Sequence, residues 1–177
     1  YEDVLELANQ GQAPEEMVQT FEQEPALLLA LFHAANGTRT AGAGVATDAL
    51  TAMRRLGGNG VADLLEMAEP AQPALEEPVR SWVRRWWRHS MAVAQFAAAL
   101  AEPLGDSVAD ARAAGLLHDV GRLALLGSEL GPKAVTAYEL DEHMAIPMTF
   151  AQQSLFGRNH KQIGQDLCRA HGVPPAL

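Results

Sequence analysis

The sequence is poor in cysteine, in basic residues and in long apolar runs, and each shortage excludes a class of protein. A single cysteine, Cys168, among 177 residues excludes a disulfide framework within the chain and is typical of a reducing compartment. No apolar run approaches the roughly 18 residues that a membrane-spanning helix needs. The acidic start also has the wrong charge for a secretory signal. We therefore expect a cytoplasmic protein without a membrane segment.

Basic residues are unevenly placed along the chain. There are 22 acids against 13 bases, a formal net charge of −9. Residues 1–79 carry 13 of the acids and 3 of the bases, a net of −10, which leaves 9 acids and 10 bases, a net of +1, for residues 80–177. An acidic first half repels a phosphate backbone, which excludes general nucleic-acid binding. The second half tolerates an anionic ligand.

Helix signals recur along the whole chain, and the alternation typical of strands is hard to find. Ala, Leu and Glu dominate, and 48% of residues are hydrophobic, which predicts an all-α protein with a substantial core. Helix start residues predict helices that begin at Pro14, at Pro25 and at Asp106 or Ser107. Two short helices are predicted on either side of Gly57-Gly58. Further helices are predicted over about 3–9, 79–102, 132–141, 147–156 and 160–171. Three prolines within residues 68–79 favour a boundary there.

Single residues in these helices carry more specific expectations. His33 lies in an apolar helix and is expected to be a core histidine bonded to a backbone carbonyl. In the helix from residue 79, an inward face is predicted from spacings of three and four and consists of Trp82, Trp86, His89, Val93 and Phe96. Gly121 is expected to kink or end the helix that carries His118 and Asp119.

Three histidines and one aspartate form the candidate site. His118 and Asp119 are adjacent within the apolar run of residues 115–126, and His89 and His160 lie on other predicted helices. Burying an imidazole or a carboxylate without a partner is costly, so neighbours, water or a metal ion must meet this pair. Convergent imidazoles and carboxylates are a common metal-site arrangement in helical bundles. On spacing alone, a hydrogen-bonded network without a ligand is the favoured explanation.

Several segments together resemble the HDOD family, the HD-related output domains of bacterial signalling proteins. The run from His118 to Arg122, preceded by Gly-Leu-Leu, is similar to the signature of the HD superfamily of metal-dependent phosphohydrolases. The other segments follow the order of HDOD elements and cover most of residues 14–175; they are residues 24–29 with 35–36, 49–50 with 55–57, 87–94, 156–164 and 172–174.

The resemblance implies a fold and a ligand set. The fold is an HD-like helical bundle, residues 79–177 and incomplete at its C-terminal end, behind a smaller N-terminal helical lobe, residues 1–78. The implied metal ligands are His89, His118, Asp119 and His160, with Arg122 as a candidate for phosphate binding. In HD enzymes such ligands hold metal ions that activate water against a phosphoester. Zinc, iron, nickel and manganese all suit imidazole and carboxylate ligands.

The sequence departs from the HD phosphohydrolase pattern, and the departures affect the catalytic groups. Arg122 stands where a lysine is usual, and Gln152 and Ser154 replace common glutamates. The candidates for a further carboxylate are Asp141, which has no motif around it, and Asp166. Asp166 follows His160 by six positions, about 240° round a helix, and should face away. The given chain also ends before the histidine pair that often follows in the family. Two-metal catalysis is therefore poorly supported.

Three hypotheses remain, and the missing carboxylates favour the first. The chain is a non-catalytic signalling module that acts through a protein partner or an input domain, or that senses a small anionic ligand such as a nucleotide. Alternatively, it is a metal-dependent phosphohydrolase or phosphodiesterase that uses the four ligands and Arg122. In the third hypothesis the His-Asp pair is only a buried hydrogen-bond network.

Overall fold

The computed structural model describes residues 14–37, 45–68 and 75–173, and within these ranges the chain forms helices and no strand. The predicted all-α fold class is confirmed. The predicted helix over residues 3–9 and most of the glycine-rich loop before residue 46 lie outside the described residues. The helices are α1 (Pro14–Gln23), α2 (Pro25–Gly37), α3 (Ala49–Ala68), α4 (Val79–Leu104), α5 (Val108–Leu117), α6 (Val120–Leu126), α7 (Gly131–Met144), α8 (Met148–Phe156) and α9 (His160–Ala170).

The helix ends follow the predicted start and stop residues. Ser107 accepts a hydrogen bond from the backbone N–H of Asp110 and so caps α5, as expected. Asn159 and Gln162 form a capping box at the start of α9. α3 is kinked at Gly57, whose φ of 70° lies in the left-handed region, so the two predicted short helices are two arms of one bent element. In the described residues, no helix combines the length and the apolar character that crossing a membrane requires.

α2 is the central helix of the first lobe, as its apolar sequence predicted. Leu27, Leu28, Leu31 and Phe32 are almost completely buried. The expectation for His33 is wrong, because its ring is exposed and packs edge-on against His171 at 5.2 Å. His33 lies seven positions after the exposed Ala26, on the one narrow stripe of α2 that faces outward.

The buried core runs from the first lobe into the bundle without a break. Phe21 and Leu31 belong to the same buried cluster as Trp87, Leu116 and Leu123 of the helices beyond residue 79. A boundary at residue 78 stays a prediction, and the two parts on either side of it share one core.

Two polar contacts also join the first lobe to the bundle. Arg112 Nε of α5 donates to Glu22 Oε2 of α1 at 2.7 Å. At the end of α2, Asn36 Nδ2 donates to the carbonyl of Gly172 at 2.9 Å, just after α9. The bundle is therefore fixed to the first lobe through α5 and through the residues that follow α9.

The predicted inward face of α4 is correct only in part. Trp82, Trp86 and Val93 are partly buried, whereas His89 is exposed and Phe96 is 71% exposed. The reason is the close packing of α5, where Gly115 lies against the backbone of Ala94 with no space for a Cβ atom. α5 covers the Ala94 side of α4, and Phe96, two positions on and about 200° round the helix, faces outward.

Candidate functional site

A break between α5 and α6 presents the His-Asp pair. α5 ends at Leu117 and α6 begins at Val120, so His118 and Asp119 form the link between them. A kink or end of the helix was expected at Gly121; the interruption lies just before it, at His118 and Asp119, and Gly121 itself lies inside α6. A Cβ atom on Gly121 would overlap the backbone carbonyl of His160. Gly121 therefore allows α6 to contact the start of α9, which brings His160 next to Asp119.

One backbone hydrogen bond fixes the ring of His118. Its Nδ1 lies 2.8 Å from the carbonyl oxygen of Gly115. A carbonyl can only accept, so Nδ1 carries a proton and Nε2 is the atom available to the site. Nε2 lies 3.4 Å from Asp119 Oδ2. The ring of His89, from α4, stands edge-on to the His118 ring with 5.3 Å between centroids.

Gln152 fixes the ring of His160 in a similar way. The backbone N–H of His160 donates to Gln152 Oε1 at 2.9 Å, so that atom is the amide oxygen. The same oxygen lies 2.6 Å from His160 Nδ1, which must therefore carry the ring proton. Burial, assisted by the charge of Arg122, lowers the pKa of His160 to about 4. His160 is thus neutral near pH 7, with a lone pair on Nε2.

The two oxygens of Asp119 face different partners. Oδ1 lies 3.7 Å from His160 Nε2, so a lone pair and a carboxylate oxygen face each other without a proton between them. Oδ2 lies 2.8 Å from Arg122 Nε and also faces His118. Burial alone would raise the pKa of Asp119, but the hydrogen bond from His118 and the charge of Arg122 outweigh it and hold the pKa well below its ordinary value. The hydrogen bond with Asp119 raises the pKa of His118.

Arg122 is held against Asp119 from several sides. Its guanidinium carbon lies 4.1 Å above the Trp86 ring, and its NH1 contacts Met148 Sδ. Tyr138 donates its hydroxyl to the Arg122 carbonyl at 3.3 Å. The side chain of Arg122 is 15% exposed. It lies within the helix layer as a counter-charge for Asp119.

The residues present fit a divalent metal ion. One ligand atom each from His89, His118 and Asp119 lie within 4.8 Å of one another, so this cluster can hold a metal. Nitrogen and carboxylate donors of this kind suit zinc, iron, nickel and manganese. Metal-binding imidazoles are commonly oriented by a hydrogen bond from their other ring nitrogen, and in His118 the Gly115 carbonyl accepts that bond. His160 lies outside the compact cluster, although its Nε2 faces Asp119. The ligand role of all four residues stays a prediction.

The two candidate carboxylates lie elsewhere. Asp141 Oδ1 accepts a hydrogen bond from the backbone N–H of Met148 at 3.1 Å, at the start of α8. Asp166 pairs with Arg158 and Arg169 at the surface, so it faces away from His160 as predicted. Neither extends the carboxylate set of the site.

Two residues of the site had no assigned role in the sequence analysis. Gln152 was noted only as a departure from a glutamate, yet it orients His160. Trp86 was assigned to the core, yet it supports Arg122. Trp86 precedes His89 by three positions, one helical turn, and that spacing was the available signal. Nothing in the sequence linked Gln152 to His160, because their contact depends on the turn between α8 and α9.

Comparisons with known proteins agree with this architecture. The sequence profile of the HDOD domain matches residues 2–177. No curated protein matches the chain. Among solved structures, the MmoQ response regulator from Methylococcus capsulatus superposes with a TM-score of 0.77 at 21% identity, over 98% of this chain and 70% of that one. A protein from Shewanella amazonensis described as a "Putative phosphohydrolase" superposes over 98% of this chain and 61% of that one, with 21% identity and a TM-score of 0.49.

Proposed function

The chain belongs to the HDOD domain family, and from this membership we propose that it is a regulatory module without phosphohydrolase activity. It transmits a change between a protein partner or input domain and its own helical bundle. The single cysteine supports a cytoplasmic place of action. The MmoQ structure, which carries the name response regulator, supports a signalling context for this fold.

The contact between Arg122 and Asp119 carries the proposal. In an HD phosphohydrolase the aspartate is a metal ligand, and the metal supplies the positive charge that activates water. Here a guanidinium already lies 2.8 Å from Asp119 Oδ2, supported by Trp86. A metal bound to the same oxygen must displace this ion pair. Arg122 is also turned to Asp119 and is unavailable as a phosphate-binding side chain.

The donor set supports the same conclusion. Within the described residues, the compact cluster contains one carboxylate, Asp119, and two imidazoles. Asp141 is engaged at the start of α8 and Asp166 at the surface. Two-metal sites for phosphoester hydrolysis place their ions about 3.5–4 Å apart and need bridging ligands. A single carboxylate supports one ion at most.

An exposed strip on α4 supports a protein partner. Phe96, Leu100 and Leu104, spaced four positions apart, are each about two-thirds exposed or more. Exposed apolar side chains that are grouped on a surface often mark sites of protein–protein interaction. The strip begins two turns after His89 on the same helix, so α4 connects the site to the proposed partner surface.

Phosphohydrolase activity with one metal ion is the alternative function. The observation that favours it is the pair of Nε2 atoms, from His118 and His160, that face the two oxygens of Asp119. A divalent ion supplied to these atoms would give a Lewis acid next to a bound water. Arg122 would then have to leave Oδ2.

The test is metal content followed by turnover. Untagged protein is incubated with manganese or zinc and desalted, and the bound metal is measured by mass spectrometry. The proteins compared are wild type, His118→Ala and the matched control His143→Ala. His143 is an exposed histidine at the end of α7. We expect the first variant to lose the bound metal and the second to retain it. Turnover of a chromogenic phosphodiester should stay at background for all three proteins. Turnover that Asp119→Ala abolishes would establish the enzyme alternative instead.

A further inference from the structure

A cavity of about 330 Å³ lies between the first lobe and α4, and none of the candidate metal ligands lines it. One wall is the junction of α1 and α2, and the other is the N-terminal half of α4. Six side chains form its surface: Gln23, Glu24, Val83, Arg84, Trp87 and Arg88. The cavity is therefore separate from the candidate metal site and is built by both parts of the molecule.

The four α4 residues divide by chemistry. Val83 and Trp87, one turn apart, give an apolar floor, and Trp87 is only 7% exposed. Arg84 and Arg88 each follow one of these residues by one position, and both are exposed. Because residues four positions apart lie on the same side of a helix, an apolar stripe and a cationic stripe run side by side along the cavity.

The charges at the cavity are of opposite sign and do not pair with each other. Within the part of the chain that the structure describes, Arg88 has no carboxylate partner, and its Nε donates to the carbonyl of Arg84 at 3.4 Å. Glu24, on the facing wall, is exposed and forms no ion pair with any described residue. Arg84 pairs with Glu77 at 3.2 Å, outside the cavity. An acid and a base thus line one space and each lacks a counter-ion.

We propose that this cavity binds a small zwitterion, an α-amino acid with an apolar side chain. Its carboxylate pairs with Arg88, its ammonium group pairs with Glu24, and its side chain lies on Val83 and Trp87. Ligand cavities in proteins span about 300–1,000 Å³, so a volume of about 330 Å³ suits a molecule of amino-acid size and is too small for a nucleotide. The bound molecule would bridge the first lobe and α4.

Ligands with a single charge distinguish a zwitterion site from a site that binds only anions. Calorimetric titrations compare L-leucine and L-phenylalanine with 4-methylpentanoate, which lacks the ammonium group, and with 3-methylbutylamine, which lacks the carboxylate. We expect one of the two amino acids to bind, and each single-charge analogue to bind at least about tenfold more weakly, because each loses one charge-assisted hydrogen bond. Equal binding of the acid or of the amine would overturn the proposal.

Three variants locate the binding on the protein. Arg88→Gln and Glu24→Gln should each weaken amino-acid binding by about tenfold or more. The matched control is Arg80→Gln, an exposed arginine two turns earlier on α4 that does not line the cavity. Because all three side chains are exposed, circular dichroism should show unchanged helix content. Affinity unaffected by Arg88→Gln and Glu24→Gln, or no heat from either amino acid up to about 10 mM, would refute the assignment.

Discussion

Replacement of Arg122 by methionine tests the role assigned to its guanidinium. Methionine keeps apolar contact with Trp86 but leaves Asp119 Oδ2 without its partner at 2.8 Å. Removing one member of a buried ion pair costs about 3–5 kcal/mol. Asp119 retains the contact with His118, and the Arg122 and Asp119 side chains are 15% and 11% exposed, so we expect a loss of about 2–3 kcal/mol in the free energy of unfolding.

Thermal unfolding of the metal-free protein measures this loss. For a domain of this size each kcal/mol corresponds to about 2–4 °C, so the midpoint should fall by about 4–12 °C. The control is Arg85→Met, since Arg85 also lies over a tryptophan, Trp82, and pairs with a glutamate, but on the exposed side of α4. An exposed pair contributes about 0–1 kcal/mol, so this control should shift the midpoint by no more than about 4 °C.

The same variant should bind metal more tightly. Removing the guanidinium frees Asp119 Oδ2 as a ligand and removes a like charge from the metal position. Manganese or zinc titration should therefore give a lower dissociation constant for Arg122→Met than for wild type. The assigned role of Arg122 would be refuted if Arg122→Met and Arg85→Met had the same unfolding midpoint and metal affinity.

Three further predictions use the contacts of the site. The pKa of His160 is lowered to about 4 in the folded state, whereas an unfolded chain binds this proton near pH 6.5. The free energy of unfolding should therefore fall by about 2 kcal/mol as the pH decreases from 6.5 to 4. Urea midpoints measured over this pH range should fall less for His160→Gln than for wild type. Gly121→Ala should destabilise the protein by about 3 kcal/mol or prevent folding, because its Cβ overlaps the His160 carbonyl, whereas Gly37→Ala, with open space around it, should change stability little. Gln152→Leu leaves the backbone N–H of His160 without an acceptor and should cost about 1–3 kcal/mol in urea unfolding.

The fold was largely predictable because helix signals are local. The cap at Ser107 and the kink at Gly57 each depend on residues within one turn, so sequence spacing identified them. The outward position of Phe96 was not predictable from spacing. It depends on how closely Gly115 allows α5 to approach, which is a contact between helices.

The proximity of three of the candidate residues was predictable from the sequence, but the bonding among them was not. The convergence of His118, His160 and Asp119 follows the motif order, and the structure brings the three side chains together. The ion pair between Arg122 and Asp119 was not predicted, because the resemblance implied that Arg122 binds phosphate. Its contact with Asp119 arises from the i, i+3 spacing together with the Trp86 ring from another helix, and only the first of these is visible in the sequence.

The most direct test of the account is the state of the Arg122 Nε–H proton in metal-free protein. Nuclear magnetic resonance of ¹⁵N-labelled protein can detect this proton when burial beside a carboxylate slows its exchange with water. We predict a protected Nε–H resonance for Arg122 near pH 7 that disappears in Asp119→Asn and when zinc, which is diamagnetic, is added. A resonance that exchanges freely in wild type, or one that neither change affects, would contradict the claim that Arg122 neutralises Asp119 in place of a metal.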